Sequence, residues 1–196
     1  AADDIRGTGV GCMGDPVAQT PHLDQLGRRG VIFNRAYCQQ ALCNPSRASV
    51  MTGLRPDTLK VWNLGTHFRD THPNTTPLPQ WFKQHGYLTQ GIGKIFHNHH
   101  TSIQGDPTSW SVPQIMHWGE HNRDSAQVPE GVAPSSPTLI ESNEIRDVPD
   151  EAYIDGRIAS AAIDALGNLA QKPDPFFLGV GFWKPHRPFN APKKYW

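Results

Sequence analysis

The chain has 196 residues, and 18 Lys+Arg balance 18 Asp+Glu to a formal net charge of zero at pH 7. A general binder of nucleic acid or membrane surface needs a field of one sign, so the sequence argues against both roles. No stretch approaches the roughly 20 apolar residues of a membrane helix. Gly and Pro, 18 each, together exceed the usual share of about 12%. With apolar runs recurring throughout, this describes a loop-rich folded chain, either one sizeable domain or a piece of a larger one.

The opening AADDIRG carries neither a basic nor an apolar region, so no signal peptide is expected within it. Thr20-Pro21 starts a short helix that Gly30 ends, with Thr20 as N-cap and Pro21 in the first turn. VIFNRAYC, residues 31–38, reads as a strand. PSRASVMTG reads as a helix with Pro45 in its first turn, and PLPQWFKQHG at 77–86 as another helix with proline at its start and glycine at its end. YLTQGIG at 87–93 reads as a strand and runs into the loop GKIFHNHH. Residues 101–147, rich in Pro, Ser, Asn and His, are expected to form a long surface excursion. From Asp150 a helix follows, with Ile154, Ile158, Ala161, Ala165 and Leu169 on one face. PFFLGVGF at 175–182 suits a buried strand, with KPHRPF at its carboxyl end.

Alternating helices and strands predict an α/β architecture with a largely parallel sheet. Ligands of such sheets bind beyond the carboxyl ends of the strands. Cys43, Lys94, His97 and His186 all follow predicted strands and so could meet at one edge.

Among the chemistry-bearing residues, Asp3-Asp4 is either a solvated surface pair or a hard-cation site, since adjacent carboxylates repel and suit calcium or magnesium. Cys43, at a helix start four residues before Arg47, is either a small buried residue or a thiol whose pKa the helix and arginine lower. Cys12 and Cys38 read as buried thiols. Cys38 and Cys43 lack the second ligand pair of a structural zinc site. His99 and His100 read as residues at the rim of a pocket, and His117 and His121 take no role. The six Trp read mainly as packing residues. Trp110, Trp118 and Trp183 are candidates for lining a sugar pocket.

The stretch CNPSRASVMTG, residues 43–53, matches C-x-P-S-R-x-x-x-(L/M)-T-G at every fixed position. With DD near the start, GCMGDPVAQTPHLDQL, RPDT, GYLTQGIGKIFH and PFFLGVGFWKPHRPF in the same order, the chain resembles the formylglycine-dependent sulfatases of the alkaline-phosphatase superfamily. The last two segments are most similar to iduronate-2-sulfatase-like enzymes, and the resemblance covers most of the chain outside 101–147.

The resemblance implies an alkaline-phosphatase-like, mainly parallel sheet flanked by helices, and hydrolysis of sulfate esters on a sulfated glycan. It implies that a maturation enzyme converts Cys43 to formylglycine, reading Cys43, Pro45 and Arg47. Asp3, Asp4 and the converted Cys43 would hold a divalent cation, calcium or else magnesium. Arg47, Lys94 and His97 would act at the sulfate and the aldehyde hydrate, His186 near the leaving group, and Lys184 on the substrate side. The hydrate's second hydroxyl would let the sulfated enzyme expel sulfate, which a serine could not do. The implied locale is periplasmic, secreted or lysosomal. The alternatives are a phosphonate or phosphate-ester hydrolase of the same superfamily, and a non-catalytic fragment. Family members begin with a longer apolar strand, where only Ala1-Ala2 precede Asp3 here, and they carry further metal and lysine residues with no counterpart up to Trp196. The chain is therefore expected to be the N-terminal part of one catalytic domain, inactive without a C-terminal part in the same or a separate chain.

Overall fold

The computed structural model describes residues 1–97, 101–116 and 143–196. Its strands are Ala2–Asp3 (β1), Leu88–Gly93 (β2), Asn143–Arg146 (β3), Phe176–Pro185 (β4) and Phe189–Pro192 (β5). Its helices are Pro21–Arg29 (α1), Cys43–Thr52 (α2), Pro56–Leu59 (α3), Phe68–Thr71 (α4), Leu78–Gln84 (α5) and Ile154–Ala170 (α6). β4 is the central strand of a parallel sheet ordered β1-β4-β2, and β3 pairs with β5, also parallel. This is the mixed α/β fold with parallel sheets that the sequence predicts.

Alternation along β4 builds the two layers. Successive side chains of a strand point to opposite faces. Leu178, Val180 and Phe182 join Ile92, Ile158, Ala165 and Trp183 beneath α6. Phe177, on the opposite face, packs on a second cluster of Ala48, Leu59, Val61, Phe68, Ile95, Phe96 and Trp110. The second face has little room. A Cβ at Gly181 would lie 1.9 Å from the Lys94 carbonyl oxygen, and one at Gly93, whose φ is +74, would lie 2.1 Å from the Gly181 oxygen. Glycine at both positions lets the end of β2 press onto β4 and delivers Lys94 to the edge of the sheet.

Four expectations are corrected. Residues 31–38 form no strand: Val31, Phe33 and Tyr37 are 78%, 75% and 81% exposed. An apolar run becomes a strand only against a partner backbone. The described part of 101–147 is not purely a surface excursion, because Trp110 is core, and Gly93 N donates to the Ile115 carbonyl while Ile115 N donates to the Gly91 carbonyl, which makes an irregular edge beside β2. β3 was also unforeseen there. Cys38 is exposed and Cys12 partly so, hence neither is a buried thiol. Trp110 and Trp183 are both buried in the core and line neither of the two cavities described below, while Trp118, His99, His100, His117 and His121 lie outside the described residues.

Candidate active site

Local structure places each side chain. β1 ends at Asp3, and Asp4 turns the chain with a φ of +59, a conformation Asp tolerates better than most residues. α2 begins at Cys43 after extended Leu42. Buried Asn44 holds that start in place by donating from Nδ2 to the carbonyls of Asn63 (2.8 Å) and Thr66 (2.7 Å). Arg47 follows one turn later on the same helix face as Cys43. Lys94 and His97 follow β2, and His186 follows β4.

Asp3 is the hub. Its Oδ1 accepts from Arg47 Nη2 at 2.7 Å, and its Oδ2 accepts a short hydrogen bond from Lys94 Nζ. Cys43 Sγ lies 3.8 Å from Asp3 Oδ1 and 3.8 Å from Lys94 Nζ. Arg47 Nη1 donates to the main-chain oxygens of Lys94 (2.6 Å) and Ile95 (3.0 Å), which locks the guanidinium to the end of β2. His186 Nε2 is 3.7 Å from Asp4 Oδ2. A cavity of about 310 Å3 opens over Asp3, Asp4, Cys43, Ser46 and Arg47.

The electrostatics follow from this packing. Burial alone would raise the pKa of Asp3, but the charges and hydrogen bonds of Arg47 and Lys94 outweigh it and hold the carboxyl at about 2. Cys43 moves the other way. Burial raises its pKa, helped by Asp3 and Asp4 and opposed by Lys94 and Arg47. Burial thus outweighs the lowering by Lys94 and Arg47, which corrects the sequence-based expectation of an activated thiolate. Arg47 and Lys94 balance Asp3 and Asp4 in charge, and they bring two cations to Cys43 that can face an anionic group.

Of the predicted residues, Asp3, Cys43, Arg47 and Lys94 are in mutual contact, and Asp4 and His186 adjoin them. His97 is buried three residues beyond Lys94 and does not line this cavity. Lys184 lines a different cavity of about 300 Å3 and donates to the Pro188 carbonyl at 2.8 Å. Sequence reasoning did not single out Asn44, whose role depends on a loop twenty residues away and leaves no local signal.

Asp3, Cys43 and His186 each offer a ligand atom, all within 4.8 Å of one another. The oxygens of Asp3 and Asp4 are the hard donors that calcium and magnesium prefer, and they supply part of the roughly 6 to 8 that calcium takes. The donor set thus fits part of a hard-cation site.

Carboxylate, thiol and two cations gathered beyond the ends of parallel strands, on a sheet with helices on both faces, define an α/β protein with a charged site at the carboxyl edge of its sheet. The sulfatase family model matches residues 1–196, and the chain belongs to the sulfatase family. It is 36% identical over 197 residues to iduronate 2-sulfatase from Homo sapiens, a match covering 98% of this chain and 35% of that protein. It is 30% identical over 223 residues to a sulfatase from Formosa agariphila, covering 100% of this chain and 40% of that one. Among solved structures, the phosphonate monoester hydrolase of Agrobacterium radiobacter superposes with a TM-score of 0.70 at 21% identity, over 100% of this chain and 42% of that chain. The chain therefore spans between a third and two fifths of the length of these curated relatives. None of the described helices is long and apolar enough to cross a membrane.

Proposed function

We propose that this chain carries the anion-handling half of a sulfatase site that hydrolyses sulfate esters on a sulfated sugar, with an iduronate-2-sulfatase-like substrate. The observation that supports this reading most directly is the cluster itself. Asp3, Arg47 and Lys94 converge on Cys43, and Cys43 opens a stretch that matches the formylglycine signature at every fixed position. The raised thiol pKa argues against Cys43 acting as a thiolate and agrees with its being a precursor.

Formylglycine at position 43, hydrated to a geminal diol, would supply the hydroxyl that attacks sulfur. A divalent cation on Asp3 and Asp4 would supply positive charge opposite the sulfuryl oxygens. Arg47 and Lys94 would bind and orient the sulfate, their charges matching its oxygens and strengthening where charge accumulates as the S–O bond lengthens. Asp3 holds both cations in place, so neither has to reorganise during reaction. His186, partly exposed at the end of β4, would give a proton to the departing sugar oxygen. His97, which does not line the cavity over Cys43, would take no direct part in the step. Lys184 would bear on the substrate outside the cavity over Cys43.

The test begins with mass spectrometry of the peptide spanning Cys43, after co-expression with a formylglycine-generating enzyme. The thiol-to-aldehyde mass decrease is expected, and an unmodified cysteine would count against the proposal. The converted chain, alone and with the C-terminal part of a relative, is then assayed on an aryl sulfate and an aryl phosphonate. Preference for sulfate is expected, with activity lost in Cys43→Ser. A phosphonate preference would move the assignment to phosphorus esters.

A further inference from the structure

We infer that Asp155 is a positioning residue, whose carboxylate holds a bulge at the end of β4 and so sets His186 opposite Asp3 and Asp4. The catalytic consequence rests on the reading above; the structural claim does not.

The pairing of β1 with β4 shows the bulge. Ala2 pairs with Phe182, but the next residue, Asp3, pairs with Pro185. Trp183 and Lys184 are therefore extra residues on the β4 side. In an unbroken parallel ladder Asp3 would face position 183, and His186 would lie three residues further along. At about 3.3 Å per residue, two extra residues bring His186 back by roughly 7 Å. With the bulge, donor atoms of Asp3, Cys43 and His186 fall within 4.8 Å of one another, and His186 Nε2 comes to 3.7 Å from Asp4 Oδ2.

A bulge takes backbone N–H groups out of the ladder, and they need acceptors elsewhere. The last regular bond runs from Phe182 N to the Ala1 carbonyl at 2.8 Å. The next two N–H groups go to one side chain. Trp183 N donates to Asp155 Oδ1 at 2.7 Å, and Lys184 N donates to Asp155 Oδ2 at 2.9 Å. The bulge closes on itself when His186 N donates to the Trp183 carbonyl at 3.1 Å. Asp155 stands in the first turn of α6, held rigid by buried Ile158 one turn on and by α6 packing on β4. An acidic residue in a first helical turn normally serves its own helix. This one reaches across to the strand and uses both oxygens there. The buried Trp183 ring anchors the same bulge from the core side.

The experiment is backbone amide hydrogen exchange by NMR on the 196-residue chain, comparing wild type with Asp155→Ala and Asp155→Asn. Asp155→Ala removes both acceptors, and exchange at Trp183 and Lys184 is expected to quicken by at least about tenfold while Ile92 and Val180 stay protected. Asp155→Asn keeps one acceptor oxygen, so only one of the two amides should quicken; this variant decides the matter if the alanine variant does not fold. Unchanged exchange at 183 and 184, or an equal rise at Ile92 and Val180, would overturn the positioning role. Turnover of an aryl sulfate by the matured protein is the separate arm. A drop in kcat larger than the change in KM in Asp155→Asn is expected from a displaced His186. A wild-type chain that exchanges as described but, matured and supplied with a C-terminal part, hydrolyses no sulfate ester would defeat the functional reading and leave the bulge standing.

Discussion

Asp3 joins the ends of β1, α2 and β2 through two cations, Arg47 and Lys94, and all three side chains are largely buried. Removing one partner of a buried charge cluster strands the others, which costs far more than the cluster contributes relative to an apolar replacement. Asp3→Asn keeps the shape and the acceptor but removes the charge. It should destabilise the fold by roughly 3 kcal/mol, read as a lower urea midpoint. The pH dependence follows from the lowered pKa. Because Asp3 titrates at about 2 when folded, against 3.8 ordinarily, its stabilisation is fully present above about pH 4 and is lost as the pH falls through 2. The gap in urea midpoint between wild type and Asp3→Asn should therefore narrow between pH 4 and pH 2. A gap that stays constant over that range would mean the carboxylate charge is not what joins these elements.

At the scale of elements, the sequence told most about segments whose periodicity is their own. The faces of α6 and the buried run of β4 were legible because burial on one or both sides writes itself into residues three, four or two apart. The run at 31–38 misled because Val31, Phe33 and Tyr37 carry strand-like residues without a neighbouring strand among the described residues. β3 and the edge at 111–115 were missed because their order comes from distant backbone partners, in β5 and β2. The site divides in the same way. Cys43, Arg47 and the Asp pair were readable from a contiguous motif, whereas Asn44 and Asp155 act on backbone groups far along the chain. The glycines give a test of how closely these elements are fitted. Gly181→Ala forces a Cβ to 1.9 Å from the Lys94 carbonyl oxygen and should cost several kcal/mol, well beyond a propensity effect of about 1 kcal/mol. Gly167→Ala, exposed on α6 with nothing within 4 Å of the new Cβ, should stabilise by up to about 1 kcal/mol. Urea denaturation of both variants separates the cases, and equal effects would refute the close approach of β2 and β4.

For the molecule as a whole, exposed apolar area and charge act together. Val17, Val31, Phe33, Tyr37 and Val50 are each more than half exposed, and three of them belong to one seven-residue stretch. Contiguous exposed apolar surface favours association, and net charge is what usually opposes it. Here the formal net charge is zero at pH 7, so nothing long-ranged holds two copies apart. Sedimentation velocity should therefore show concentration-dependent association at pH 7. Phe33→Ser with Tyr37→Ser should weaken it at pH 7 without changing the net charge. If the double variant associates as wild type does, the exposed 31–37 stretch is not the adhesive surface.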